Sequence, residues 1–547
     1  MKKIIIILSL VCSFIFSVQA QLTSLQWQED LRFLQERVHK EYSFLFKKTT
    51  KEIFDSEVEQ LYKDIPNLEA HEIIVGMSRI IALFKYGHTD ISFRHGGYAF
   101  RQLPFNLYQY EDGIYIQGVH QDYPKALGAK VIAINNVPIK EAIEKIYPAV
   151  NAENDQFFKA YGLNYLGFPE VLHAQGITSS LDYSVSLSLE KDGTIFQQSF
   201  DALPQGERVP IQYNQVFAHD NWLEARKQDR TPLYIKNRDK LYYLEHLQKE
   251  KAVYIRHSSI MNDPTETMAD FYTRVFDFVE NNEVEKFILD LRFNGGGNNF
   301  LNKPIITGII EQQKINQVGK FMVIIGRQTF SACQNLVNEL SNYTNVVFVG
   351  EGTAENLNFY GDTHRVALPN TQIPVYLSYA WWQDKPQSQN AEGTSPHVPV
   401  IMSFKEYVNN EDPVLDAALS FSGDNFKADP MGHIVRLFSE GKMDQLRTDV
   451  ISMVQDPRYS FFDFEGEFLK AGNSLLGRDN VAAISIFEMT SQIYPRSAKV
   501  WSALGDGYSK VGDVTKAKGF FEKTLSLQPD KELEKYAKDR LKALEEK

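Results

Sequence analysis

The sequence FILDLRFNGGGNNF at residues 287–300, together with GRQTFSACQN at residues 326–335, decides the fold of this chain. The first stretch is an apolar run that ends at Gly295 to Gly297, which predicts a buried strand leading into a loop without Cβ atoms. The second follows another apolar run and predicts a helix that begins at Ser331. The hydroxyl of this serine is therefore expected above the end of a strand, among backbone N–H donors, as an acyl-transfer nucleophile requires.

Several ordered motifs around these stretches resemble the S41 peptidases, which include C-terminal processing proteases, the tricorn core protease and retinoid-binding-protein-like relatives. The matching motifs are DLRFNGGG at 290–297, TFSA at 329–332, GEGT at 350–353, YGD at 360–362, LPN at 368–370 and DPVL at 412–415. Strands and helices alternate through residues 232–423, which predicts an α/β core. The resemblance implies that this core is crotonase-like and that the chain is a serine-type peptidase with Ser331 as its nucleophile. Backbone amides of Gly295, Gly296 and Ala332 are the predicted oxyanion hole.

The general base is the feature on which this family divides. The tail-specific branch uses a Ser–Lys dyad, but Asn356 stands where that lysine would be, and no lysine occurs between Glu351 and Asp384. In the tricorn-like and retinoid-binding-protein-like branches, a Gly-His turn near the N-terminus carries the base. By resemblance this is His88, in the sequence YGHTD. Tyr86 stands where the common form of that motif has Asp.

Alternatives remain open for each of these site residues. His88 could be a capping or solvated residue, and Ser331 could be an ordinary helix N-cap. His364 is a second candidate base, although it falls in a predicted strand. Glu351 and Glu355 are both candidates for the group that orients the base. The resemblance implies neither a cofactor nor a metal ion.

The N-terminal residues 1–20 have the pattern of a secretory signal peptide, with cleavage expected before Gln21. Their apolar run is too short to span a bilayer comfortably, so we expect an exported protein, periplasmic or secreted, without a membrane span after cleavage. The formal net charge of -12 argues against nucleic acid and anionic membranes as partners. Signal cleavage would leave Cys333 as the remaining cysteine, so neither an internal disulfide nor a cysteine zinc cluster is expected.

Three further regions flank the core and make the chain a multidomain α/β protein. Residues 21–100 have a helical apolar period and predict an N-terminal helical domain. Residues 101–205 resemble a PDZ-like domain with a helical insertion, which could recruit an extended peptide or merely support the core. Residues 424–547 resemble tetratricopeptide repeats, because Ala483 and its neighbours recur 34 residues later, from Ala517 onward. These helical repeats predict a surface for a protein partner or substrate, with a simple C-terminal cap as the alternative.

The sequence thus predicts an exported serine peptidase that cleaves peptides or proteins through an acyl-enzyme on Ser331, with His88 as the base. The competing hypothesis is a catalytically inactive binding protein on the same scaffold, which would use the PDZ-like and repeat regions. Tyr86, Asn356 and His397 depart from the family motifs and keep this hypothesis open. The reactivity of Ser331 distinguishes the two hypotheses.

Overall fold

The computed structural model describes residues 22–389 and 391–545. The predicted signal peptide at residues 1–20 lies outside these described residues. Over the described residues the fold is mixed α/β, with 18 α-helices and four β-sheets. No helix in this part of the chain is long and apolar enough to cross a membrane.

Three helices that bury one apolar stripe each begin the described chain. They are α1 (Ser24–Glu41), α2 (Lys51–Asp64) and α3 (Ala70–Ala82). The side chain of Thr23 caps α1 within a capping box, which fixes where this helix begins. A turn after α3 carries His88 and leads into the short strand β1 (Asp90–Ile91).

An antiparallel sheet with a helical insertion forms the second region. Its first strands are β2 (Phe105–Tyr110), β3 (Gly113–His120), β4 (Lys130–Ile134) and β5 (Val137–Pro138). The insertion contains α4 (Ile139–Ile146), α5 (Asp155–Tyr161) and α6 (Pro169–Ala174). The chain then forms β6 (Ser184–Lys191), β7 (Thr194–Asp201), β8 (Ile211–Gln212), β9 (Gln215–Val216) and β10 (Trp222–Glu224). The sheet order is β10-β3-β4-β6-β7, with β2 on β3 and β5 on β4, while β8 and β9 pair with each other.

The core is a six-stranded sheet with the order β11-β12-β13-β14-β15-β18. Its elements are β11 (Tyr242–Leu247), β12 (Ala252–His257), α7 (Met268–Asn281), β13 (Lys286–Asp290), α8 (Lys303–Glu311), β14 (Phe321–Ile325), α9 (Ala332–Tyr343), β15 (Val347–Gly350) and β18 (Val398–Pro399). All neighbouring pairs are parallel except β11 with β12. Alternate residues of β13 enter separate apolar clusters, Phe287 and Leu289 on one face and Ile288 on the other. Burial on both faces explains the continuous apolar runs of the sequence.

A small antiparallel sheet connects the core to the N-terminal helices. The long hairpin of β16 (Asn358–Ala367) and β17 (Pro374–Gln383) follows β15, and β1 pairs along β17. In that pairing Asp90 lies opposite Tyr376 and Ile91 opposite Val375. Because His88 lies two residues before β1, this pairing brings its turn to the core.

One apolar cluster joins the N-terminal helices, the antiparallel sheet and the β16–β17 hairpin. Among its fully buried members are Leu31 from α1, Val131 from β4 and Val375 from β17. The amide of Thr371 and its hydroxyl both donate to the buried carboxylate of Asp30, which ties α1 to the hairpin turn. The predicted segments 21–100 and 101–205 therefore share a single apolar core in the folded chain.

The C-terminal part of the described chain is helical. After α10 (Phe404–Val408) and α11 (Pro413–Ser420) it contains α12 (Pro430–Ser439), α13 (Met443–Gln455), α14 (Phe464–Leu475), α15 (Asn480–Ile493), α16 (Ala498–Lys510), α17 (Val514–Ser526) and α18 (Lys531–Glu545). Leu437 and Val450 join the apolar cluster on one face of the core sheet, so α12 and α13 pack on the core.

Candidate active site

Ser331 lies at the turn between β14 and α9, in a backbone conformation that residues with a Cβ rarely adopt. Its φ is 56° and its ψ is -129°, and a side-chain-bearing residue in such a region costs about 1–3 kcal/mol. The surrounding loops hold this conformation: the amide of Phe330 donates to the carbonyl of Asn294 at 3.1 Å, and the amide of Ser331 donates to Glu355 Oε2 at 3.0 Å. Ser331 occupies the N-cap position, yet its hydroxyl accepts no N–H from α9.

His88 lies opposite this serine. Its Nε2 is 3.0 Å from Ser331 Oγ, a distance at which the ring can accept the hydroxyl proton. The imidazole is stacked between two aromatic rings, Phe330 at a centroid distance of 4.5 Å and Phe359 at 6.0 Å. Burial between these rings lowers the pKa of His88 to about 4. The ring is therefore neutral at neutral pH, as a proton acceptor must be.

Glu355 faces the other nitrogen of the same ring. Its Oε2 is 3.4 Å from His88 Nδ1, and its side chain is fully buried. Burial, and secondly the neighbouring carboxyl of Glu153, raise the pKa of Glu355 well above its usual range. The amide of Ser331 donates to the same Oε2. One carboxyl group thus lies against both the imidazole of His88 and the backbone of Ser331.

The glycine-rich loop touches the nucleophile turn through its backbone. Gly296 has a φ of +96°, and a Cβ built on it would lie 2.8 Å from the amide nitrogen of Ala332. The N–H of Gly296 donates to Asn294 Oδ1 at 2.9 Å, so this predicted oxyanion donor already has an acceptor. The N–H groups of Gly295, Gly297 and Ala332 donate to no acceptor within the described residues.

Two other predicted candidates lie in different surroundings. Glu351 forms an ion pair with Arg327, with 2.7 Å between the charged atoms, so of the two predicted supporting glutamates it is Glu355 that faces His88. His364, the second candidate base, lies in β16, where its Nδ1 is 3.0 Å from the Tyr42 hydroxyl.

Two residues that depart from the family motifs have structural contacts. His397 accepts the amide of Phe348 at 2.8 Å. Asn356 lies beside the site, where its backbone N–H donates to Glu153 Oε2 at 3.1 Å.

Glu153 is the site residue that sequence reasoning missed. It lies in the loop before α5, within the helical insertion, where no motif marked it. Atoms of His88, Glu153 and Glu355 lie within 4.8 Å of one another, a spacing that would also suit a metal ion. Backbone N–H groups already occupy both oxygens of Glu153 and Oε2 of Glu355.

Comparison with known proteins adds likenesses of structure. No family model matches the sequence, and no curated protein matches it. The chain is similar to solved structures of peptidases. Mature CPAF is 13% identical and has a TM-score of 0.46, over 73% of this chain and 98% of that chain. The photosystem II D1 C-terminal processing protease is 11% identical with a TM-score of 0.34, over 74% and 98%. A putative S41 protease from Bacteroides fragilis is 16% identical with a TM-score of 0.28, over 58% and 82%. At these identities and scores, function has to be inferred from the contacts of the site.

Proposed function

We propose that this protein is an exported serine peptidase of the S41 type, in which Ser331 is the nucleophile and His88 the general base. The observation that carries the proposal is the 3.0 Å contact between His88 Nε2 and Ser331 Oγ. The two residues are 243 positions apart in the chain, and the serine has a strained φ with its hydroxyl free of the helix. A hydroxyl that only capped α9 would need neither the strain nor the histidine.

The first half of the reaction uses the neutral ring of His88. The ring takes the proton from Ser331 Oγ as this oxygen bonds to the carbonyl carbon of a peptide. The negative charge that develops on the carbonyl oxygen faces the free N–H groups of the nucleophile turn and glycine loop, of which Ala332 is the nearest in sequence to the serine. The imidazolium then gives its proton to the amine of the breaking C–N bond, which leaves an ester on the serine.

The second half returns the site to its starting state. A water molecule gives a proton to His88 Nε2 and attacks the ester carbonyl, and the protonated ring returns this proton to Ser331 Oγ as the C–O bond breaks. Throughout, Glu355 lies 3.4 Å from His88 Nδ1 and places a carboxyl group beside the charge that forms on the ring. Burial keeps water away from this contact, which strengthens it.

Two flanking regions provide the surfaces for substrate or partner in this proposal. The repeat region is supported by a recurring contact: a Cβ on Gly472 would overlap the ring of Phe487, and a Cβ on Gly505 would overlap the ring of Phe521. Each pair places a small residue of one helix against a phenylalanine of the next, as in stacked helical repeats. The antiparallel sheet is the PDZ-like unit, and its Tyr115 stacks on Phe404 of α10 at 4.0 Å.

The test is labelling of the purified mature protein with a fluorophosphonate probe, which reacts with activated serines. We expect labelling of the wild type and its loss in Ser331→Ala and His88→Ala. His364→Ala is the matched control, because it removes a histidine that contacts neither residue, and it should label like the wild type. An unlabelled wild type that is folded would overturn the proposal and favour a binding protein on the same scaffold.

A further inference from the structure

Glu153 holds the backbone on both sides of the proposed base. Its Oε1 accepts the N–H of Gly87 at 2.9 Å, and its Oε2 accepts the N–H of Asn356 at 3.1 Å. Gly87 directly precedes His88, and Asn356 directly follows Glu355. Glu153 therefore fixes the backbone next to His88 and also the backbone next to Glu355. The residue is 4% exposed, so solvent does not compete effectively for these contacts.

The loop around Glu153 contributes two further contacts to the same segments. The side-chain amide of Asn151 donates to the carbonyl of Gly87 at 2.8 Å. Asn154 caps α5 by accepting the amide of Phe157, and its amide group donates to the carbonyl of Thr353. The helix α5 anchors this loop and so places Asn151, Glu153 and Asn154 where they can bind the segments that carry His88 and Glu355.

Glu153 and Glu355 place two carboxyl groups close together beside His88. Two carboxylates buried next to each other repel, so the carboxyl group of Glu153 adds to the increase in the pKa of Glu355 that burial produces. Of the two carboxyl groups, Glu355 faces His88 Nδ1 at 3.4 Å, where positive charge forms during the reaction. The ionisable groups that also face the pair are Lys48, Tyr86 and Tyr161. Lys48 opposes the increase in the pKa of Glu355 that burial and Glu153 produce.

We infer that Glu153 is a positioning residue of the Ser331–His88–Glu355 site, which clamps the two loops that carry the base and its partner. This inference rests on the proposed function. Glu153 contacts neither substrate nor nucleophile, so its effect is on the rate and its pH dependence. A residue with only a structural role would change stability alone.

The variant Glu153→Gln tests this role, and Glu170→Gln is its matched control. Glu170 belongs to the same insertion, is 4% exposed, and accepts one backbone N–H, from Arg101 at 2.9 Å, away from the site. We expect Glu153→Gln to lower the rate of fluorophosphonate labelling at least about tenfold, because displaced reacting groups lose rate steeply. Labelling should increase with pH as Glu355 ionises, and this increase should move to lower pH, since the neighbour that raises the pKa of Glu355 is gone. Glu170→Gln should change neither quantity.

Glu153→Asp separates the clamp from the effect of the second carboxyl group on the pKa of Glu355. It keeps a second carboxyl group but is one methylene shorter, so it should lose an amide contact and label more slowly while the pH dependence stays near that of the wild type. It also provides the test if Glu153→Gln does not fold. Labelling of Glu153→Gln within about twofold of wild type, with an unmoved pH dependence, would overturn the inference.

Hydrogen exchange tests the clamp directly, without depending on the reactivity of Ser331. Peptides that contain the amides of Gly87 and Asn356 should exchange faster in Glu153→Gln than in the wild type, and Glu170→Gln should leave them unchanged. If the wild type does not label, the proposed function fails, while unchanged exchange at both amides would refute the clamp itself. The two failures are therefore distinguishable.

Discussion

Replacing Gly296 by alanine should displace the turn that carries Ser331 without replacing any reacting side chain. A Cβ at this position would lie 2.7 Å from Ser331 Cβ, 2.8 Å from the Ala332 nitrogen and 2.8 Å from the Phe330 oxygen. Ordinary van der Waals contacts begin at 3.4 Å. Two of the three atoms are backbone, so no flexible side chain can move aside, and the glycine loop and the turn must separate by about 0.6–0.7 Å.

The size of the effect follows from this separation. A displacement of about 1 Å in the reacting groups costs about 100-fold in rate, so we expect labelling of Ser331 in Gly296→Ala to be about 10- to 100-fold slower than in the wild type. The alanine must also adopt a φ near +96°, which destabilises the fold by about 1–2 kcal/mol. The variant should therefore fold but react poorly.

The assay is the second-order rate of fluorophosphonate labelling, with urea unfolding measured in parallel. Gly206→Ala is the matched control: its φ is +93°, and a Cβ there meets nothing within 4 Å. It carries the same backbone strain without the contact, so it should lose similar stability and keep the wild-type labelling rate. A labelling rate for Gly296→Ala equal to that of Gly206→Ala would refute the argument that the glycine loop sets the position of the serine.

Three further predictions concern the groups around the site. Glu355→Gln should slow labelling by about two to four orders of magnitude, as loss of the orienting carboxylate does in serine hydrolases; kinetics within tenfold of wild type would contradict this role. Burial lowers the pKa values of His88, His257 and His397 to about 4, so the unfolded chain binds more protons than the folded chain below pH 6.5. The free energy of unfolding should therefore decrease as pH falls from about 6.5 towards 4, by up to about 3 kcal/mol for each histidine. Urea unfolding at several pH values should show a weaker pH dependence for His88→Gln than for the wild type. Arg292→Met should cost about 3–5 kcal/mol in urea unfolding, because it removes the buried guanidinium that pairs with the carboxylates of Asp290 and Asp412. A loss below about 1 kcal/mol would show that their remaining hydrogen bonds suffice.

The core was predictable because its signals are local. The run FILDL at residues 287–291 is apolar on both faces, and the glycines that follow admit positive φ values, so strand and loop could be assigned from adjacent residues. The structure likewise has a helix that starts directly after Ser331. What local sequence could not give was the partner of the serine. The sequence indicates His88 only through the family resemblance. The pairing of β1 with β17 joins residues far apart in the chain, and no motif or spacing in the sequence predicts it.

Local sequence also could not distinguish between the two candidate glutamates. Glu351 and Glu355 lie in one segment, and both were compatible with the sequence. In the structure Glu351 turns to Arg327, while Glu355 enters the interior beside His88. The path of the loop decides which of them is buried, and this path depends on contacts from other regions. One of these contacts is the hydrogen bond from the amide of Asn356 to Glu153. Glu153, which the sequence did not indicate, therefore helps to place Glu355 beside His88.

Three separate regions of the chain together form the candidate site. The core supplies Ser331, the segment after α3 supplies His88, and the helical insertion supplies Glu153. Strain at the serine and burial of ionisable groups both oppose folding locally. For Glu153, hydrogen bonds from the backbone N–H groups of Gly87 and Asn356 in the other two regions offset part of this cost. If the proposed roles hold, the reactivity of Ser331 reports on the docking of all three regions. A chain in which β1 fails to pair with β17 would keep Ser331, the proposed nucleophile, without His88, the proposed base, beside it.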